Sequence, residues 1–551
     1  MNRSDYNDKV SELLADRHTY KPLKKDPTNK YKTEVSKELL DLEKAGAIDH
    51  ILKCKLHPTS ETVPAFYGLP KIHKANIPLR PIVSCIGSVT YNIAKHVAGI
   101  LSPLVGGSPH HIVNSQDFVE RVKHQRVDPL ETIVSYDVTA LFTSIPPNEA
   151  IEIAKERLIA DPSLIHRTPL SVNQICDLLE LCLRLTYFVY DEKFYQQIHG
   201  CAMGSPVSGI LANLYMERLE QSLLTSYPGI SPSVWFRYVD DTFVKILTSE
   251  KDKFFDFINS YDSNIKFTFE DAVDNKLAFL DCLVTEEENG NLSLSVFRKS
   301  THTDQYLSFD SHHHMQQKSG IVKTLINRAD TICSNEASKT AEKHHVINAL
   351  NNCGYNNQFI KRALRPRIPQ GVRTDPLAYV SLPYISGLSE HLQRLFEDCN
   401  IKVAHKPVKT LRNILVHPKD RPPIDNICDV VYNIRCEDEH CLDEYIGETS
   451  QPLHKRMAQH RRHAAGGLQS AVYEHLEATG HSFKTENVKI IDKESDWFKR
   501  GVKEAFWIKS KTPVINRQGG ARFKLSNSWN RAIRLNNNRG RNEQISRQNA
   551  S

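Results

Sequence analysis

The stretch Phe236-Arg237-Tyr238-Val239-Asp240-Asp241-Thr242-Phe243-Val244 sets an acidic pair between two runs of apolar and aromatic residues. β-Branched and aromatic side chains favour strands, so the pattern predicts a hairpin with Asp240 and Asp241 at its tip. Adjacent carboxylates at a turn are ordinarily solvated turn residues, and the pair needs company before it carries chemistry. About a hundred residues upstream, Thr132-Ile133-Val134-Ser135-Tyr136 reads as a strand ending in Asp137 and followed by Val138-Thr139-Ala140-Leu141-Phe142. A carboxylate at a strand end can lie beside the hairpin tip in one sheet.

Three such carboxylates suit phosphoryl transfer from a nucleoside triphosphate. That reaction uses two Mg²⁺ ions roughly 3.5–4 Å apart, one at the attacking 3′-hydroxyl and one at the leaving pyrophosphate. Mg²⁺ takes few, hard oxygen ligands from protein, so Asp137, Asp240 and Asp241 suffice. Phe142 is placed to press on the sugar and exclude a 2′-hydroxyl; otherwise it is a plain core aromatic. The segment from Gln196 to Ser208 carries Gly200 and Gly204, where backbone can approach a ligand closely. Ser205 and Pro206 then predict the N-cap and first turn of a helix with Ile210, Leu211, Leu214 and Leu219 on its buried side. Farther upstream, Lys71 and Arg80 fall on two short strands joined by a turn, where they can clamp a triphosphate or be simple surface cations.

The chain has 551 residues, 40% hydrophobic and 25% charged, which predicts three or four soluble globular domains. No run approaches the length of a membrane span, and the N-terminus lacks an apolar core, so neither a membrane segment nor a signal peptide is expected. A cytosolic or nuclear protein follows, with nuclear residence after cytoplasmic synthesis expected for the function below. In that setting the 12 cysteines are buried, metal-bound or free rather than paired in disulfides. The net charge of +6 is modest, but residues 521–551 hold Arg522, Lys524, Arg531, Arg534, Arg539, Arg541 and Arg547 against Glu543 alone. Such a tail reads as disordered and basic, suited to phosphate contacts. The expected organisation is a helical segment at 1–60, alternating strands and helices at 61–290, a mostly helical 291–365, a proline-rich connector with some structure of its own at 366–425, a compact α/β unit at 426–520 and the tail.

The ordered motifs YGLPKIHK (67–74), PLRPIVS (78–84), SYDVTALFTSIP (135–146), GCAMGSPVSGILAN (200–213), FRYVDD (236–241) and FLDCLV (279–284) resemble the reverse transcriptase of Penelope-like retroelements. RKSTHTDQYLSFDSHHH (298–314) is similar to that family's thumb region and LPYISGLSE (382–390) to its connector. The resemblance implies a multidomain α+β chain with a right-hand polymerase fold: fingers and palm over 61–290 and a thumb over 291–365. It also implies RNA-templated DNA synthesis, with the metal ligands on Asp137, Asp240 and Asp241. Gly209 stands where proline is expected, and the family's usual N-terminal extension is short or missing, consistent with a truncated copy.

In the last unit, Val430-Val431-Tyr432 and Tyr445-Ile446-Gly447 read as strands, Arg456 and His460 fall on one face of a helix, Glu504 sits in another, and Asn516 ends the unit. The ordered set resembles the GIY-YIG endonucleases, although its first motif reads Val-Val-Tyr. The resemblance implies that tyrosines, an arginine and a glutamate holding one Mg²⁺ cut DNA. A water must lose a proton to Tyr432 or through His460, while Arg456 stabilises charge on the phosphate. Cys436 and Cys441 are spaced C-x4-C, and His475 and His481 H-x5-H, both within the range of structural zinc sites. His440, His454, His463 and Cys428 are rival ligands. The combined expectation is a polymerase that uses an RNA template, a DNA primer and dNTPs, coupled to an endonuclease that nicks target DNA. A decayed or domesticated copy that binds nucleic acid without catalysis is the alternative. A telomerase-like or intron-encoded enzyme would leave 426–520 unexplained.

Overall fold

A computed structural model describes the chain except residues 59–61, 73, 75, 367–374, 408–409, 411–422, 463–469, 518–521, 532 and 534–551. Arg534, Arg539, Arg541 and Arg547 of the basic tail, Glu543, His463, and Pro369, Pro418 and Pro422 of the connector therefore lie outside the described residues. Among the described residues no helix is long and apolar enough to cross a membrane.

In chain order the first half contributes β1 (Tyr20–Leu23), β2 (Ala65–Pro70), β3 (Leu79–Ser84), β4 (Glu131–Val138), β5 (Tyr187–Tyr190), β6 (Lys193–Gln197), β7 (Val234–Tyr238), β8 (Asp241–Leu247) and β9 (Phe267–Asp271). They form two sheets, β1-β6-β5-β2-β3 and β7-β8-β4-β9. The second is built on β4, whose Ile133, Val134 and Tyr136 are fully buried. Tyr91–Leu101, Pro147–Ile159, Val172–Arg184 and Ser208–Ser226 are helices whose apolar faces share one core with β4 and β8. The helix at Val172 starts with a capping box in which Ser171 and Gln174 satisfy each other's backbone N–H.

Two expectations need correction here. The segment 1–60 is not wholly helical: β1 pairs antiparallel with β6, Tyr20 opposite Gln197. Ser205 is not an N-cap, because the helix begins three residues later at Ser208 and has no side-chain cap at Val207. The Ser208 hydroxyl instead donates to the Ala202 carbonyl at 2.7 Å, and Ser208 N–H reaches Ser205 O at 3.2 Å, so residues 205–207 form a lead-in turn. Ile210 is only half-buried, while Leu211, Leu214 and Leu219 are buried as expected.

β10 (Lys276–Phe279), β11 (Cys282–Glu286) and β12 (Leu292–Val296) make a small antiparallel sheet. Helices Met315–Ile332, Glu336–Asn352 and Asn357–Leu364 follow, the last two capped by Asn335 and Asn356, and they close a core of their own around Val322, Val346, Leu350 and Phe359. The connector has more structure than its prolines suggest: β13 (Ala378–Pro383), helix Leu388–Asp398 and β14 (Ile401–Lys406) form a β-α-β unit with a parallel strand pair. The last unit orders β15 (Val430–Arg435), β16 (Glu444–Thr449) and β17 (Lys489–Lys493) as β16-β15-β17. Helices Leu453–His460, Ala471–Thr479 and Trp497–Lys511 complete it. The whole is a mixed α+β chain.

Candidate active sites

The β4–β8 ladder sets Asp137 directly opposite Asp241, and the β7–β8 ladder sets Tyr238 opposite Asp241, so Val239 and Asp240 form a two-residue turn. Val239 has φ +58°, a left-handed conformation that costs a β-branched residue free energy and persists only where its surroundings hold it. Arg237 does the holding. Its fully buried guanidinium donates to Val239 O at 3.0 Å, to Asn213 Oδ1 at 3.0 Å and to Glu220 Oε1 at 2.6 Å. The three aspartates thus meet at one end of the sheet. Burial, then the charges of Asp240 and Asp137, push the Asp241 carboxyl up to about 6, and burial with Asp137 raises Asp240 as well. Mutual repulsion of this kind is what a divalent cation relieves, so the donor set fits Mg²⁺.

Cations ring the acids. Lys74 Nζ lies 3.2 Å from Asp137 Oδ2. Lys71 follows β2, with its ammonium held below the ordinary lysine value by burial and by Lys74 and Arg80. Arg80 is exposed on β3 opposite Leu69. The glycine loop packs against this edge: a Cβ on Gly204 would fall 2.0 Å from Val83 O, and Gly204 has φ +127°. Gly200, at φ +74°, leaves no room for a Cβ against the Phe142 carbonyl, which accepts the Cys201 N–H. Phe142 itself is half-buried against the main core.

The second constellation is centred on Tyr432, opposite Gly447 across β15–β16. A Cβ on Gly447 would lie 2.6 Å from Tyr432 Oη and 2.7 Å from Tyr445 Cε1, so glycine is required by close approach of both rings. Tyr432 Oη accepts from Arg456 Nε at 3.1 Å and lies 2.8 Å from His460 Nε2. His460 Nδ1 bonds Ser470 Oγ. Burial and the charges of Arg456 and Arg461 lower the imidazole to about 3, so it is neutral. A neutral ring carries one N–H, so His460 donates at one of these two contacts and can accept at the other. Glu504 is buried, and burial with the adjacent Glu448 raises it to about 7. Asn516 donates to Ile446 O at 2.7 Å and accepts from Ile446 N at 2.8 Å, tying the chain end to β16.

Cys436, Cys441, His475 and His481 converge, with one ligand atom from each all within 4.8 Å of one another. Cys436 Sγ is 3.3 Å from His481 Nδ1 and Cys441 Sγ 3.8 Å from His475 Nε2. The remaining nitrogens face carboxylates: His475 Nδ1 lies 3.7 Å from Asp443 and His481 Nε2 3.7 Å from Asp438. Two thiols, two imidazoles and an outer carboxylate for each imidazole fit a tetrahedral structural zinc. Among the rivals, His454 Nδ1 bonds Asp425 O and Cys428 Sγ bonds Asn426 O, away from this group.

Residues 72–272 match the family model described as reverse transcriptase (RNA-dependent DNA polymerase), a range that holds Lys74, Arg80 and all three aspartates. The chain carries a reverse transcriptase domain. Residues 305–365 match the model described as animal helix-turn-helix domain, which coincides with the three-helix unit after β12. No curated protein matches. Similar solved structures include telomerase from Candida albicans with a fragment of telomeric RNA, 12% identical, with 65% of this chain and 59% of that one covered and a TM-score of 0.41. A Sicinivirus RNA-dependent RNA polymerase is 14% identical, with 60% of this chain and 70% of that one covered and a TM-score of 0.35. The chain thus spans 59% of the length of the Candida albicans telomerase.

Within the reverse transcriptase domain, sequence reasoning missed Glu220, a carboxylate 1% exposed on the helix Ser208–Ser226 that anchors both Arg237 and Trp235. Just past the matched range it missed Lys299, whose charge counters the rise of Asp241 from beyond β12. Beyond the domain it missed Glu448, the residue after Gly447, which binds Arg500 at 2.6 Å and also pairs with Arg522 of the basic tail.

Proposed function

We propose that the chain is the protein of a Penelope-like retroelement, an RNA-directed DNA polymerase joined to a GIY-YIG endonuclease whose nick in target DNA supplies the primer. One observation carries this reading: two sites of different construction on one chain, the Asp137, Asp240 and Asp241 group and the Tyr432, Arg456, His460 and Glu504 group.

In the polymerase site, Lys71 and Arg80 hold the triphosphate of an incoming dNTP, and Gly204 lets its loop pack directly on β3 beside them. Phe142 presses on the sugar. Two Mg²⁺ held by the three aspartates, and one held by Glu504, stabilise the attacking and departing oxygens when bound. In the nuclease site, the attacking water loses its proton through the hydrogen-bonded pair of Tyr432 and His460. Arg456 stabilises the phosphate charge, and Tyr445 flanks the reacting group. Cys436, Cys441, His475 and His481 hold zinc and pin the β15–β16 loop to the helix that carries His475. Template RNA, primer and target DNA, and a nuclear setting follow from this reading.

The test is one preparation with Mg²⁺, two assays and two pairs of variants. RNA-templated dNTP incorporation is expected to vanish in Asp240→Ala/Asp241→Ala, and its survival removes the polymerase assignment. Plasmid nicking is expected to vanish in Arg456→Ala and Glu504→Ala; unchanged nicking removes the endonuclease half.

A further inference from the structure

Between the three-helix unit and the β-α-β unit lies a cavity of about 580 Å³. Its walls come from helices Met315–Ile332, Asn357–Leu364 and Leu388–Asp398 and the turn after the second of these, each contributing a cation: Lys323, Arg362, Arg394 and Arg365. All four are exposed, and among the described residues no carboxylate pairs with any of them. Among the described residues of the lining the one acid is Glu390, which accepts from Tyr384 Oη and from Gly387 N, both at 2.8 Å. Among the described residues of the lining four cations stand against one carboxylate, a balance that suits a polyanion.

The two units that frame the cavity are joined by a specific contact. The rings of His314 and His405 stack 4.4 Å apart, His312 Nε2 lies 2.9 Å from Tyr384 O, and Gln317 Nε2 donates to His405 O at 3.2 Å. Burial, then the neighbouring His405, keeps His314 below the ordinary histidine value.

We infer that this cavity binds a single-stranded stretch of nucleic acid, with Lys323, Arg362, Arg365 and Arg394 on its phosphates. The choice of a single strand follows from shape and chemistry. The volume is that of a pocket for a drug-sized molecule, too small to seat a duplex, and planar guanidiniums serve both phosphate oxygens and base faces. The inference rests on the reading that the chain copies nucleic acid, and it gives the strand a second foothold, built from elements outside the matched polymerase range.

The test measures anisotropy of the full chain with a labelled, unstructured RNA of ~30 nucleotides over a salt series. Lys323→Gln/Arg362→Gln/Arg394→Gln is expected to weaken binding about tenfold and to reduce the salt slope by about 2, at ~0.7 per lost phosphate contact on a single strand. Lys323→Arg/Arg362→Lys/Arg394→Lys is expected to restore most of the affinity, which a purely structural role for charge would not separate from the glutamine set. If the triple glutamine variant does not fold, Lys323→Gln and Arg394→Gln are read singly, each lowering the slope by about 0.7. Unchanged affinity and slope overturn the proposal. So does an equal loss for duplex of the same length, or competition by inorganic phosphate at the same concentration as RNA phosphate. The same measurement in an Asp240→Asn/Asp241→Asn background is expected to give the same losses. Absence of dNTP incorporation by the parent chain with those losses intact would remove the polymerase reading and leave the cavity assignment standing.

Discussion

Asp137 stands directly opposite Asp241 in the β4–β8 ladder, with Asp240 in the adjoining turn, so three carboxylates share one sheet end. The folded state holds the Asp241 proton up to about pH 6, against the ordinary 3.8 of an unfolded chain. A raised carboxylate contributes stability that is present below the unfolded value and lost as pH rises through the folded one. Asp241→Asn is therefore expected to abolish dNTP incorporation yet raise the metal-free free energy of unfolding at pH 8, by roughly 1 kcal/mol after discounting for partial exposure. At pH 4 the gain should vanish. A metal-free variant less stable than the parent at pH 8 would contradict the repulsion argument.

The two sites should also part company with pH. Glu504, raised to about 7 by burial and Glu448, must lose its proton to serve a metal, as must Asp241 at about 6. At one fixed Mg²⁺ concentration, lowering the pH from 8 is expected to extinguish plasmid nicking before RNA-templated incorporation. Higher Mg²⁺ should pull both midpoints down, because cation binding competes with protons. Coincident midpoints would mean that Glu504 does not limit the nuclease.

Glycine 447 offers a separation of function. A methyl there would meet Tyr432 Oη at 2.6 Å and Tyr445 Cε1 at 2.7 Å, and neither ring can retreat from its packed side. Gly447→Ala is expected to cost about 1–3 kcal/mol of stability in the last unit and to abolish nicking, leaving incorporation in place. Full nicking activity in this variant would show that the two rings need not approach so closely.

How much of this was legible in the chain differs from element to element. The hairpin at Asp240 was readable because β-branched and aromatic strand formers run on either side of the acidic pair, and Asp137 because it ends such a run. The thiol and imidazole pairs were readable because zinc geometry constrains spacing within each pair. β1 was not: Tyr20-Lys21-Pro22-Leu23 is too short to show a period and gains its partner, β6, only in the folded chain. The connector was legible only as having some structure of its own, because Pro376 and Pro383 read as breakers although they flank or end a strand rather than interrupt it. Glu220 reads as a solvated helix residue until Arg237 and Trp235 close over it, and no local pattern announces a contact set by tertiary packing.

The Cys436, Cys441, His475 and His481 group predicts a metal-dependent joint. Its four ligand atoms lie within 4.8 Å, and they connect the β15–β16 loop to the helix Ala471–Thr479 and the turn beyond Gly480. Cys436→Ser is expected to lower bound zinc from one equivalent per chain, measured by elemental analysis, and to make the last unit protease-sensitive while incorporation persists. A chelator should mimic the variant. One equivalent of zinc retained in Cys436→Ser/His475→Ala would place the metal elsewhere.

Arg237 is where folding and catalysis meet, and variants there can pull the two apart. Its guanidinium and the Glu220 carboxylate are 0% and 1% exposed and 2.6 Å apart. Arg237→Met strands a buried carboxylate, and breaking such a pair from one side costs about 3–5 kcal/mol. Arg237→Met/Glu220→Leu removes both charges and is expected to recover most of that loss, because a well-packed apolar pair replaces a buried ion pair with little penalty. Catalysis should not follow. The double variant still lacks the donor to Val239 O, so the φ +58° turn that carries Asp240 has lost its restraint. Incorporation is expected to stay at least ~100-fold down, as misplacing a reacting group by an ångström suffices for that. Recovery of both stability and incorporation in the double variant would show that the turn holds its shape without Arg237.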